Sequence, residues 1–402
     1  MFDYQKLKMN CSHGNFKNFK IVNKKPFGKL EIDFLQYLSK NIFSEKNSKK
    51  YPEIISYAFW IRRENLNRLR EKHQTNKNKL GLGNILHITP SNVPINFAYS
   101  FTIGLLTGNS NMVRLPSQKF DEVVFFLKLL KKSFKNKKFR EISLSNIFFQ
   151  YNSSDDAITQ YLCKISDGRI IWGGDETSKK FKNFETKPRT KDIFLTDRYS
   201  FSLVVSKKFN KLKNEKLSNF IRNFYNDAFF MDQNACTSPH LIIWLGNKKE
   251  NQKSQLLFWN ELKKIAKEKY SLDLFYSAKK YFDICDDILM HDNIIKYYNY
   301  DSLIYRVKLK NLKKGLSQFR RSFGYFYEFD CTGLSDLKNF IDEKFQTLTY
   351  YGLDKNLILE FIYKNGIKGI DRIMPIGLAH EMSFFWDGYD LEEHMTRTID
   401  AK

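Results

Sequence analysis

Along most of the chain, short apolar runs alternate with longer stretches whose apolar positions recur at helical spacing. The runs are ILHIT (85–89), NMVRL (111–115), SNIFFQY, RIIW (169–172), IFLTD and SFSLVV. Between them lie a buried helix over 95–107 stopped at Gly108-Asn109, then DEVVFFLKLLKKSF, DDAITQYLCKIS and ETSKKFKNF. Short strands alternating with helices predict an α/β fold with a largely parallel sheet. Residues 1–80 read as mostly helical and polar, with FLQYLSKNIF and ISYAFWIRRENLNRLREKH as the helices. A second α/β section starts near residue 210, with a helix over 214–230, the segment MDQNACTSPH, the strand LIIWLG and the amphipathic helix QLLFWNELKKIAKEKY. From about residue 366 the character changes to strand, glycine turns and a charged tail. The order divides the chain into domains 1–207 and 208–365, and a segment 366–402 that returns to the first domain or to an interface.

Composition changes little in this picture. The chain of 402 residues is long enough for two or three cores. It has no long uncharged apolar stretch and no signal-peptide pattern, which predicts a cytoplasmic protein without a membrane span. The formal net charge of +23 invites a nucleic-acid reading. The lysines, however, lie in short runs such as Lys131-Lys132, Lys137-Lys138 and Lys179-Lys180, mixed with Asn, Asp and Glu, and no nucleic-acid motif accompanies them. A solvated basic surface, with no nucleic-acid partner, is the better reading. The five cysteines have irregular spacing, which fits reduced thiols rather than a disulfide framework or a metal site.

Three places carry candidate chemistry. Cys236 sits among small and polar residues, Asp232-Gln233-Asn234-Ala235-Cys236-Thr237-Ser238-Pro239-His240, where backbone N–H groups could stabilise a thiolate. Most cysteines are instead small buried hydrophobes, and local context does not exclude that. Asn92 lies in a turn between Pro90 and Pro94 just after a strand, where its amide could serve an oxyanion or simply suit the turn. Gly173-Gly174, at a strand-to-helix junction, could admit a phosphate or ribose, or could be a plain tight turn. There is no GxGxxG and no P-loop. His87, His240, His380 and His394 read as packed or surface residues, and the aromatic stripes of the helices as core.

In order and spacing, ILHITPSNVP, GLLTGNSNMVRLPS, IIWGGDE, DRYSFSLVV, DQNACTSPH and DRIMPIG…WDGYD resemble the LuxC-type acyl-CoA reductases of the aldehyde dehydrogenase superfamily. The match covers roughly residues 80–120, 168–245 and 366–398. The resemblance implies an aldehyde-dehydrogenase-like α/β fold, with 1–207 as a nucleotide-cofactor domain and 208–365 as the catalytic domain. It implies Cys236 as nucleophile and Asn92 as oxyanion donor. Ser91, Arg114, Ser117, Gly173, Gly174 and Thr177 would then meet the cofactor, NADPH or NADH. The implied reaction reduces an acyl-CoA, of fatty chain by family expectation, to an aldehyde through a cysteine thioester. The implied partners are an acyl-CoA or acyl-protein substrate, an acyl-activating synthetase and further copies of the chain.

Two departures matter. Aldehyde dehydrogenases place a lysine where Leu115 stands, one residue after Arg114. The glutamate that activates deacylating water in oxidising members has no counterpart visible around Leu195-Thr196-Asp197-Arg198, which suits a reductase. The alternatives are an NAD(P)-dependent aldehyde dehydrogenase acting oxidatively and a basic protein binding nucleic acid or an acidic surface.

Overall fold

A computed structural model describes residues 9–73, 78–91, 93–290 and 292–401. The chain forms two compact units, one running to Thr196 and resuming at Met382, the other spanning Asp197–Glu381. Each is built on one mainly parallel sheet.

In the first unit the strands lie in the order Asn10–His13, Asn146–Gln150, Ser110–Arg114, Asn84–Ile88, Gly168–Trp172, Lys191–Leu195, and only the first is antiparallel to its neighbour. Both faces are covered, so alternate residues feed two different cores. Ile85, Val113, Phe148 and Ile170 pack with the helices Lys29–Ser44, Asn96–Leu106 and Asp121–Phe134. Leu86, Met112, Phe149 and Ile171 pack on the other side with Leu162 and Phe181. Burial on both faces is why these strands appear in the sequence as apolar runs rather than alternations. The helix Asn96–Leu106 ends as its glycine signal predicts. Gly108 has φ +81°, and a Cβ there would lie 2.2 Å from the Lys24 carbonyl oxygen.

The C-terminal segment is tied to this unit by pairing of Thr396–Thr398 with Lys79–Gly81, and Trp60 Nε1 donates to the Met382 carbonyl at 2.9 Å. His73, Asp390 and Glu392 converge within 4.8 Å. Glu392 lies 3.4 Å from His73 Nδ1 and 3.8 Å from Lys79 Nζ, so the lysine already supplies a cation to this cluster.

The second sheet runs Ile294–Tyr300, Ile304–Leu309, Tyr325–Cys331, Pro239–Leu245, Tyr199–Val205, Phe345–Tyr351, Arg372–Pro375. Its first two strands form a hairpin and the remaining pairings are parallel. The helices Asn214–Phe229 and Lys248–Lys269 cover one face through Phe220, Phe224, Phe258 and Leu262. The second of these starts with a reciprocal Asn247–Glu250 capping box.

The observed boundaries differ from the expected 207 and 365. The run SFSLVV resembles the strand before it, but it pairs between Pro239–Leu245 and Phe345–Tyr351, which places it in the second unit. Likewise Arg372–Pro375 completes the second sheet, and only residues from Met382 return to the first unit. Among the described residues no helix is long and apolar enough to cross a membrane.

Candidate functional site

In the first unit the strand order reverses between Asn84–Ile88 and Gly168–Trp172, whose helical connections leave to opposite sides. The carboxyl ends of strands at such a reversal form the natural ligand crevice of a parallel sheet. Ser91, exposed, follows the first of these strands, and Gly173-Gly174 ends the second. Gly173 is needed for close packing, because a Cβ there would lie 2.9 Å from the half-buried Thr177 side chain. At Gly174 no atom lies within 4 Å of an added Cβ, so the helix Asp175–Lys182 starts beside open space. Asp175 and Glu176 in its first turn oppose a pyrophosphate at this N-terminus.

Arg114 ends the neighbouring strand, and its guanidinium stacks 4.8 Å from the centre of the Tyr151 ring. Its Nε is buried without a hydrogen-bond partner, a donor that a ligand at this edge can satisfy. Leu115, at the superfamily's lysine position, is buried in the core, as strand alternation requires once Arg114 faces the other way. Ser117 lies just beyond, exposed. Thus Ser91, Arg114, Ser117, Gly173, Gly174 and Thr177 belong to one sheet edge. Asn92 lies outside the described residues.

In the second unit Cys236 sits, half-buried, on the loop between the helix Asn214–Phe229 and the strand Pro239–Leu245. The loop is held in an unusual path. Asp232 and Gln233 have φ of 52° and 57°, left-handed values that non-glycine residues rarely adopt. Gln233 is fully buried and explains how the path persists. Its Nε2 donates to the carbonyls of Pro239 and Tyr325, both at 3.1 Å, and its Oε1 accepts from the N–H groups of Gly324 at 2.7 Å and Tyr325 at 2.9 Å. Asp232 accepts from the Tyr270 hydroxyl at 2.6 Å, and Ser200 Oγ donates to the Cys236 carbonyl at 2.6 Å. Gln233→Ala would orphan four buried backbone groups. We expect it to cost about 3 kcal/mol or more in chemical denaturation, at 1–3 kcal/mol per unsatisfied buried group after relaxation.

Around the thiol the tertiary structure assembles residues that the sequence left apart. Arg320, from the stretch before the strand Tyr325–Cys331, places Nη1 at 3.8 Å from Cys236 Sγ. The same guanidinium donates to Asp197 Oδ1, to the Asn234 carbonyl at 2.6 Å and to His240 Nε2 at 3.2 Å. Asp197 Oδ1 lies 4.0 Å from Sγ. Burial, reinforced by the charge of Arg320, holds His240 well below the usual histidine range, so it is neutral and accepts from Arg320. His380 bonds Thr237 Oγ1 at 2.8 Å and is pushed down to about 4 by burial. The nearby cation favours a thiolate, while Asp197 on the same guanidinium works against it.

The sequence model of the acyl-CoA reductase (LuxC) family matches residues 55–397. The chain belongs to that family. No curated protein matches the sequence. Among solved structures the chain is similar to lactaldehyde dehydrogenase from Escherichia coli, with 12% identity, TM-score 0.62, and coverage of 92% of this chain and 86% of that one. It is similar to a glyceraldehyde-3-phosphate dehydrogenase from Methanocaldococcus jannaschii solved with NADP, with 13% identity, TM-score 0.60, and coverage of 92% and 88%. It also resembles a mutant of proline utilization A from Bradyrhizobium japonicum, with 13% identity and TM-score 0.61; 90% of this chain matches, spanning only 40% of that protein. At these identities the likeness is one of fold: the LuxC-family chain has the aldehyde-dehydrogenase-like α/β fold.

For this family member the largest revision concerns Asp197. The sequence showed no carboxylate positioned for the thiol, and the structure places one beside it. Arg320 was missed altogether. Its only local mark is the dibasic pair Arg320-Arg321 before an aromatic strand, which resembles many other basic pairs in this chain.

Proposed function

We propose that the chain reduces acyl-CoA to aldehyde through a thioester on Cys236. The observation that carries this reading is a half-buried thiol on a rigidly pinned loop with a guanidinium 3.8 Å from its sulfur. In this reading the Cys236 thiolate attacks the acyl carbonyl, and the oxyanion collapses as coenzyme A thiolate leaves and takes a proton. Arg320 stabilises the thiolate before attack. Asn92 is carried forward as an oxyanion donor on the sequence resemblance alone. A reduced nicotinamide, when bound, would supply the hydride that reduces this thioester. The resulting thiohemiacetal, once protonated, breaks to aldehyde and free Cys236 thiol.

The sheet edge of the first unit fits a nicotinamide nucleotide by two features, the open space at Gly174 and the unsatisfied Arg114 Nε. Arg114 is the residue proposed to favour the 2′-phosphate of NADPH over NADH. Gly174→Leu should weaken cofactor binding at least roughly tenfold by fluorescence titration, about 1.4 kcal/mol. The melting temperature should stay unchanged, since the new side chain points into open space.

A second reading, oxidation of aldehydes, is favoured by Asp197 beside the thiol, where a carboxylate could position a deacylating water. Intact-protein mass spectrometry after exposure to fatty acyl-CoA without reductant separates the two. An adduct that persists on Cys236 and is discharged as aldehyde by NADPH is the result expected of a reductase. Rapid hydrolysis of that adduct would favour the oxidising enzyme. An acyl-protein donor, formed by an acyl-activating synthetase, is tested by the same adduct.

A further inference from the structure

The helix Leu274–Met290 of the second unit is turned the opposite way from an ordinary amphipathic helix. Its buried residues are Lys280, Asp283, Ile284 and Asp287, three of them ionisable. Their partners are internal. Asp287 accepts from the hydroxyls of Tyr325 and Tyr327 and from Arg321, and Lys280 Nζ donates to the carbonyls of Leu303 and Phe323. Asp283 is paired with Arg321 and Lys279.

The apolar residues therefore face outward. Leu274 is 86% exposed, and Tyr281 and Ile288, at successive seven-residue steps, are exposed with it. Phe275 and Phe282, each 69% exposed, and Leu289, 84% exposed, form the adjacent row. Ala278 and Cys285 lie between the rows. The six exposed side chains of the two rows offer an apolar area on the order of 800 Å², judged from the 150–250 Å² of an aromatic side chain. That exceeds the few hundred Å² usual on a monomer and matches the roughly 800 Å² per partner of a stable interface.

The spacing says what kind of partner fits. A seven-residue repeat is the signature of a helix seam. Here the stripe also reads the same in both directions about the point between Tyr281 and Phe282. A second copy laid antiparallel sets Leu274 against Leu289, Phe275 against Ile288, Tyr281 against Phe282, and Ala278 against Cys285. The last two are small and allow the axes to approach toward the short end of the 8–10 Å range typical of packed helices. Lys279 and Asp286 flank the stripe with opposite signs, and the same arrangement brings them near each other across the pair. We propose that this stripe is an isologous interface through which two copies of the chain associate, helix Leu274–Met290 against its own symmetry mate.

The test uses the full-length protein. Sedimentation is expected to show a dimer that becomes monomeric in Phe282→Lys/Leu289→Lys. The far-ultraviolet circular-dichroism spectrum should be unchanged, because both side chains are exposed within one copy, and the melting temperature lower, because the partner no longer stabilises the fold. Ala278→Cys oxidised with diamide should give a reducible cross-linked dimer through Cys285 of the other copy, lost when Cys285→Ser is added. Wild-type protein should not cross-link at Cys285, since its two copies would stand about 10 Å apart along the axis at 1.5 Å per residue. A wild-type monomer at all concentrations overturns the proposal. So does a dimer that survives the double lysine variant, and so does failure of Ala278→Cys to cross-link. A monomer that instead binds phosphatidylglycerol vesicles through the stripe would also overturn it.

Discussion

Cys236→Ala is expected to abolish both acyl-enzyme formation and aldehyde production, while leaving nicotinamide-nucleotide binding intact. The proposed reaction passes through a covalent bond to this sulfur, so nothing at that position can substitute for a thiol. Cys11, Cys163, Cys285 and Cys331 cannot take over. Burial raises the Cys163 thiol, and it pushes the Cys331 thiol up to about 12; the other two do not share the Cys236 loop. Cys236→Ser is the stricter control, because its hydroxyl keeps the size of the site and lacks the acidity of a thiol. Mass spectrometry should show no adduct in either variant. Reduction of acyl-CoA at the native rate by either would disprove the thioester route.

Arg320→Met is expected to lower kcat/KM for acyl-CoA by about 10²–10³, the scale of losing one preorganised charged donor. The side chain keeps length and apolar bulk while removing the guanidinium that reaches Cys236, Asp197, Asn234 and His240. Removing a cation beside a thiol raises its pKa, so the pH profile of Cys236 alkylation by iodoacetamide should move to higher pH. The shift separates an electrostatic role from mere support of the loop, which would change stability without moving the profile. Arg320→Lys should restore little, because a single ammonium cannot hold four partners arranged around a planar fork. An unchanged alkylation profile in Arg320→Met would remove Arg320 from the proposed mechanism.

Much of the fold was legible in the chain alone, for a local reason. Each parallel strand is buried on both faces, so it must be apolar at consecutive positions, and each covering helix must be apolar at its own period. ILHIT, NMVRL, RIIW and LIIWLG therefore announced themselves, and Gly108 marked a helix end because only its backbone fits there. The role proposed for Cys236 came from its place in an ordered set of segments and not from its local context. The assignment of Tyr199–Val205 to the second sheet was decided by long-range pairing, since its composition suits either sheet. Asp197 and Arg320 stand 39 and 84 positions from Cys236, and contacts at such separations leave no periodic trace. The outward face of Leu274–Met290 was hidden for the same reason. Its apolar stripe reads as core until the partners of Asp283 and Asp287, supplied by Arg321 and two tyrosines from elsewhere in the chain, show which side the charges must face.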